Sequence, residues 1–323
     1  MDAIVVRAFG GPEVLTLDEM PDPEPQAGEV LVELEAIGVN YVDVYHRTGQ
    51  YPGPLPRVIG GEGAGIVAAV GPGVGSVRVG DRVASWAFRG SYAERAIAPA
   101  DYVVALPDSV SAESAAAALL QGLTVHLLVR DAYRVRPGDV VLVHAAAGGV
   151  GLLLTQIATK LGARVIGTVS TEQKEVLARS AGAAEVIRYG PDVDVAAEVR
   201  RLTGGIGVPV VYDGVGKETF DASLASLHVR GTLVLFGSAS GPVPAVDPRR
   251  LQDAGSVYLT RPSLRHFVAE PDERRRRAAE LFAWIADGLD IRVYGRYPLA
   301  EARRAHEDLE ARRTTGKLLL IPR

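Results

Sequence analysis

One short segment restricts this chain more than anything else in it: Ala145-Ala146-Ala147-Gly148-Gly149-Val150-Gly151. It follows the apolar run 139–144 and precedes the helical spacing of residues 150–161, which Gly162 stops. A small residue at 146 permits a tight turn, Gly148 lets the backbone approach a pyrophosphate, and Gly151 lets the helix lie close on the sheet. The helix then aims its first amides and its dipole at an anion. A glycine pattern alone is weak evidence for a dinucleotide site. A strand before it and a helix after it supply the context that the motif requires.

That context continues. Apolar strands are predicted at 164–169, 185–187, 208–212, 232–236 and 257–260, alternating with helices at 171–180, 193–202 and 217–227. Apolar strands joined by helices form a parallel sheet covered on both faces. The fold class is therefore α/β, with a Rossmann-type doubly wound sheet over residues 122–261. Residues 1–121 have a different texture. Short β-type runs at 30–36, 65–70, 82–86, 92–97 and 102–106 are separated by Gly and Pro clusters, with one helix at 41–47. Strands at this spacing suggest a small barrel or sandwich. The tail, 262–323, holds an amphipathic helix at 271–288, a second at 301–312 and a strand at 317–321. It is expected to return to the first domain, making that domain discontinuous.

A chain of 323 residues with a net charge of −4 has no global field to attract nucleic acid or an acidic membrane. With no cysteine it has no disulfide, thiolate nucleophile or cysteine-ligated metal, which suits the cytoplasm. No basic and apolar leader opens it, and no apolar run of about 18 residues is apparent that would cross a membrane. The basic run Arg274–Arg277 reads as a solvated helix face, with nucleic-acid contact the sharper alternative. No His pair has metal-ligand spacing, and no G-x-S-x-G nucleophile elbow occurs.

An NAD site usually ends its second strand with an acid about 20 residues after the glycine turn. Here Ser170 stands at that place, Lys174 follows one helical turn later, and Tyr189 follows the third strand. A hydroxyl and a cation suit the 2′-phosphate of NADPH, whereas an acid would repel it.

The motifs Val39-Asn40-Tyr41-Val42-Asp43, Gly49-Gln50-Tyr51-Pro52, Gly60-Gly61-Glu62-Gly63-Ala64-Gly65, Gln121-Gly122-Leu123-Thr124, Tyr212-Asp213-Gly214-Val215-Gly216 and Thr260-Arg261-Pro262 add a resemblance. With the glycine turn they resemble, in order and over nearly the whole chain, the zinc-independent quinone oxidoreductases related to zeta-crystallin. That group belongs to the medium-chain dehydrogenase/reductase superfamily. Gly61 occupies the place where zinc-dependent relatives carry a ligating His. The resemblance implies a GroES-like, mainly-β catalytic domain beside the Rossmann domain, and a homodimer. It also implies that Asn40 and Tyr45 line the nicotinamide end and Thr124 and Leu127 the domain junction. Gly148, Gly149 and Val150 would hold the pyrophosphate, and Ser170, Lys174 and Tyr189 the adenosine phosphate. Val215, Ser238, Ala239 and Ser240 would follow the sheet's carboxyl edge, with Ser263, Leu264 and Arg312 completing the site.

Without a metal to polarise a carbonyl, the suited acceptors are already electrophilic: quinones and other conjugated carbonyls. Tyr45, Tyr51 and Asn40 are the candidates to donate to a developing oxyanion. The expected activity is NADPH-dependent quinone reduction. Two other readings stay open: an enone or enoyl reductase on the same scaffold, and a non-catalytic NADPH- or RNA-binding protein of the crystallin type.

Overall fold

A computed structural model describes residues 1–322. In chain order its elements are β1 (Asp2–Val6), β2 (Thr16–Glu19), β3 (Glu29–Val39), α1 (Tyr41–Thr48), β4 (Arg57–Val58), β5 (Glu62–Val70), β6 (Arg82–Ser85), β7 (Arg95–Pro99), β8 (Val103–Ala105) and α2 (Ala112–Leu127). Then follow β9 (Val140–Val143), α3 (Gly149–Lys160), β10 (Arg164–Val169), α4 (Glu172–Ser180), β11 (Glu185–Arg188), α5 (Val195–Leu202), β12 (Val208–Asp213), α6 (Phe220–Ser226), β13 (Leu227–Leu235), α7 (Arg249–Asp253) and β14 (Tyr258–Thr260). The chain closes with α8 (Leu264–Phe267), α9 (Pro271–Ala286), β15 (Val293–Pro298), α10 (Ala302–Glu310) and β16 (Lys317–Ile321).

Two compact units result: Met1–Gln121 with the chain from Glu270 onward, and Gly122–Ala269. Residues 262–269, with α8, stay with the second unit rather than returning with the tail.

The first unit holds a three-stranded sheet, β2-β1-β4, and a seven-stranded sheet ordered β15-β16-β3-β5-β6-β8, with β7 also on β3. Strand β3 organises the larger sheet by pairing with β5, β7 and β16. Its inward residues change phase along its length. Val30, Val32 and Leu34 join the core, and past the irregularity between Leu34 and Ala36 the inward set becomes Ile37 and Val39. An irregularity of this kind shifts the side-chain alternation by one residue, so both halves of a long strand bury their apolar set.

The second unit is a six-stranded sheet ordered β11-β10-β9-β12-β13-β14, parallel throughout. This is the doubly wound order, and its direction of winding reverses between β9 and β12. Val141, Leu142, Val143, Val165, Ile166, Val210 and Val211 are fully buried, as strands covered on both faces require.

Two expectations are corrected here. Helix α2 was not anticipated. Continuing into a further turn, Ala112–Ala132 has the length and mean hydropathy (1.4) of a membrane span, contrary to the reading that no such run exists. In the structure 72% of that window is buried within the protein, as for a core helix apolar on all sides. Such a helix has no amphipathic period by which to recognise it. Second, Arg274–Arg277 is only half solvated. Arg275 and Arg276 are exposed, but the i,i+3 spacing turns Arg274 and Arg277 inward. Arg274 lies 4.0 Å over the Tyr102 ring and donates to the Asp101 carbonyl at 3.0 Å. Arg277 pairs with Glu273 on its own helix.

Candidate functional site

The glycine turn joins β9 to α3 and is built as its composition suggests. Ala145 takes a left-handed conformation (φ 51°), and its carbonyl accepts the Gly148 amide at 2.8 Å. A Cβ on Gly151 would lie 2.2 Å from the Ala145 oxygen and 2.8 Å from the Ala146 Cα, so only glycine fits. Gly148 caps α3 in an extended conformation, and Gly148, Gly149 and Val150 remain partly exposed. A ligand can therefore reach this helix start.

Ser170, Lys174 and Tyr189 come together at the carboxyl ends of β10 and β11. Val169 pairs with Arg188 across these strands, and the Tyr189 amide donates to the Val169 carbonyl at 2.9 Å. Ser170 and Tyr189 are thereby adjacent and exposed. Thr171 caps α4 and accepts the Lys174 amide at 3.3 Å, which sets Lys174 in the first helical turn.

Val215 and Ser238, Ala239 and Ser240 also meet, at the ends of β12 and β13. Ser240 donates its amide and its hydroxyl to the Val215 carbonyl, each at 2.8 Å, and the Ala239 amide reaches Gly214. Sequence reasoning missed what fixes this corner. Buried Asp213 accepts from the amides of Val215 (2.8 Å) and Gly216 (3.0 Å) and from the Thr219 and Ser223 hydroxyls. Ser223 gives its proton to Asp213 at 2.7 Å, so it accepts from His144 Nε2 at 2.9 Å, leaving His144 Nδ1 to accept from Thr168 at 3.0 Å. Burial pushes the His144 pKa down, consistent with a neutral ring. Ser223 is fully buried and its proton is committed, so this Ser, His and Asp set holds a turn and is no nucleophilic triad. The readable signal was an Asp ending a strand before Gly-Val-Gly.

Thr124 and Leu127 lie on α2, Leu127 buried and Thr124 partly so. Ser263 caps α8 and Leu264 opens it, both partly exposed. In the first unit, Tyr45 and Tyr51 form an edge-on pair with ring centroids 5.3 Å apart, and the Tyr51 amide donates to the Tyr45 carbonyl at 2.9 Å. Tyr45 is buried and Tyr51 is 39% exposed. Arg312 is exposed, in a left-handed turn (φ 56°) between α10 and β16.

Asn40 lies in a buried polar network. Its Oδ1 accepts from Lys317 at 2.6 Å, and its Nδ2 donates to Glu62 at 2.7 Å and to the Gly38 carbonyl at 3.3 Å. Both amide hydrogens are thus committed, which bears on its expected part as an oxyanion donor. Its backbone amide donates to Asp43 at 2.8 Å, and Asp43 also accepts the Tyr92 hydroxyl at 3.0 Å. Beyond Tyr92 the bonds have one direction. Arg47 has only donors, so His306 Nδ1 accepts from it at 3.2 Å, and His306 Nε2–H donates to Tyr92 at 2.9 Å. Arg47 continues to Glu310 at 2.8 Å.

Two groups in this network titrate in opposite senses. Burial pushes Asp43 up to about 7 from 3.8, so its contribution to stability is largest in acid and is lost as pH rises towards 7. Burial, and then the Arg47 charge, push His306 down to about 3 from 6.5, so its contribution is full above 6.5 and is lost as pH falls towards 3. The two slopes oppose each other over the shared interval. Asp43→Asn is expected to leave a protein that loses stability on acidification more steeply than the parent. His306→Gln is expected to leave one that loses stability as pH rises to 7. Denaturant titrations at several pH values check this, and equal slopes in all three proteins would contradict it.

Comparison with known proteins gives the family. The family model described as zinc-binding dehydrogenase matches residues 149–284, and that described as alcohol dehydrogenase GroES-like domain matches residues 26–108. A quinone oxidoreductase of Salmonella typhimurium is 48% identical, the match covering 99% of each chain. The chain belongs to the quinone oxidoreductases of the medium-chain dehydrogenase/reductase superfamily. A mycobacterial protein solved in complex with NADPH superposes with a TM-score of 0.97 at 58% identity, covering all of both chains. A 2-haloacrylate reductase of a Burkholderia species is 39% identical over 99% of this chain and 98% of its own. Zinc appears in the description of the matching family model, and this chain has no cysteine to serve as a ligand.

Proposed function

We propose that this protein is an NADPH-dependent quinone reductase that transfers hydride without a metal. The observation that carries the reading is the carboxyl edge of the parallel sheet. There a glycine-only turn opens α3, and a Ser, a Lys and a Tyr replace the acid of an NAD site. The residues present fit the cofactor. The amides at the start of α3 donate to a pyrophosphate with the helix dipole behind them. Ser170, Lys174 and Tyr189 hold the 2′-phosphate, the lysine supplying the charge. Val215, Ser238, Ala239 and Ser240 line the edge, and Thr124, Leu127, Ser263, Leu264 and Arg312 are further candidate contacts. When bound, NADPH supplies the hydride from its nicotinamide ring.

The protein's own part is to orient, to exclude water and to place donors. Tyr45 and Tyr51 form an aromatic wall, and the Tyr51 hydroxyl donates to the acceptor's oxygen as negative charge builds there. A quinone needs no stronger polarisation, because conjugation already makes it electrophilic. The haloacrylate-reducing relative keeps one second reading in view, since its substrate is a conjugated acid. We place the protein in the cytoplasm as a homodimer. The edge strand β14 supports the dimer, with Tyr258 on it and Val229 on β13 both largely exposed.

Steady-state NADPH oxidation with 1,4-benzoquinone, 9,10-phenanthrenequinone and a 2-enone tests the assignment. The quinones are expected to turn over faster by about tenfold or more, a difference of roughly 1.4 kcal/mol in barrier. Equal or faster turnover of the enone would move the protein to the second reading. Tight NADPH binding with no turnover on any acceptor would exclude both.

A further inference from the structure

The buried cluster around Asn40 is more elaborate than a cap for α1 requires. Three strands deliver it. Gly38 pairs with Glu62 across β3 and β5, and Val39 pairs with Leu318 across β3 and β16, so Asn40, Glu62 and Lys317 converge just beyond those pairs. Lys317 and Glu62 are 2% and 0% exposed, and their charges meet at 2.5 Å. Burying such a pair is costly unless the remaining polar valences are met. Here they are: Glu62 Oε2 also accepts from Asn40, and Oε1 accepts the Leu120 amide at 2.7 Å. Room for the carboxylate comes from Gly38, where a Cβ would stand 2.3 Å from Glu62 Oε2.

The pair dictates how the Asn40 carboxamide is turned. Its oxygen faces an ammonium and its nitrogen faces a carboxylate. Turning it over would set NH₂ against NH₃⁺ and C=O against COO⁻, losing two charge-assisted bonds and creating two repulsions. With Lys317 on Oδ1 and both Nδ2 hydrogens committed, the side chain has no donor left, and the accepting capacity that remains on Oδ1 is shared with the Asp43 amide of the α1 capping box, an amide that also donates to the Asn40 carbonyl at 3.0 Å. Asn40 can therefore accept from a ligand but not donate to one.

We propose that Lys317 and Glu62 are positioning residues that hold Asn40 as a hydrogen-bond acceptor, selecting pyridine cofactors whose 3-substituent carries an N–H donor, as a carboxamide does. This rests on the reading that Asn40 lines the nicotinamide end. It also replaces the expectation that Asn40 donates to an oxyanion.

The test compares NADPH with its 3-acetylpyridine analogue, in which a methyl ketone replaces the carboxamide and the N–H donor is gone. The readout is the ratio of the two kcat/KM values with 1,4-benzoquinone, which a general loss of stability would not change. The parent enzyme is expected to favour NADPH by tenfold or more. Lys317→Met, and the charge-neutral pair Glu62→Gln with Lys317→Met should the single variant not fold, are expected to bring the ratio near one. Asn40→Ala is expected to do the same. If Asn40→Ala abolishes the preference and the folded Lys317 variants keep it, the positioning role is overturned while the placement of Asn40 stands. If Asn40→Ala itself leaves the ratio unchanged, the placement of Asn40 is wrong, and the proposal falls with it.

Discussion

Replacing Gly151 by alanine is expected to lower stability by about 2–3 kcal/mol, the upper part of the range for forcing a group into a space already filled. It should also raise the KM for NADPH about tenfold or more. The added Cβ would meet the Ala145 oxygen at 2.2 Å and the Ala146 Cα at 2.8 Å, both backbone atoms of the glycine turn. Neither can move without opening the turn or lifting α3 from β9. Gly148→Ala makes the informative comparison. Its Cβ would lie 3.2 Å from the Ala145 oxygen, a tight but tolerable approach. Gly148→Ala should therefore keep most of the stability while weakening NADPH, because it fills the place where a pyrophosphate approaches the backbone. Thermal unfolding together with NADPH titration separates the two effects. Equal stability loss in both variants would mean that the turn is less constrained than its geometry implies.

The second large effect is expected at Arg47, which is 1% exposed and bonds Gly10, His306 and Glu310. Arg47→Met is expected to cost about 3 kcal/mol, near the lower end for removing one partner of a buried pair. The lower end applies because Glu310 keeps a third of its side chain in water and can be resolvated. His306 Nδ1 and the Gly10 carbonyl would be left without a donor in the interior. Glu310→Gln keeps an acceptor for Arg47 but leaves its buried guanidinium without a counter-charge, so it should cost about 1.5–3 kcal/mol, the worth of a bond to a charged group. Urea denaturation measures both losses. A small cost at Arg47 would show that this network tolerates a missing donor.

The second unit was largely legible in the sequence. A parallel sheet buries its strands on both faces, so they read as continuous apolar runs, and β10 has the bounds that its patterning gives. The first unit was harder. β3 shifts phase midway, so a simple alternation follows only its first half. α2 is apolar all round and lacks the period by which helices are recognised. At the site, the glycine turn and the Ser170, Lys174 and Tyr189 edge are local in sequence, and local patterns carry them. The Asn40, Glu62 and Lys317 cluster joins residues 277 and 255 positions apart, and nothing in any one segment announces it. The buried Arg274 and Arg277 make the same point: a run of four arginines reads as solvated until the fold turns two of them inward.

The measurement closest to the central claim is the ratio of kcat/KM for NADPH over NADH with 1,4-benzoquinone, in the parent and in Lys174→Ala. A bond between a charged donor and a phosphate contributes about 1.5–3 kcal/mol, which is about tenfold to a hundredfold in the ratio. The parent is expected to favour NADPH by at least that lower figure. Lys174→Ala should lose most of the preference through the KM for NADPH while NADH is unaffected. A parent that uses NADH equally well, or a Lys174→Ala that slows both cofactors alike, would contradict the assignment of this edge to the 2′-phosphate.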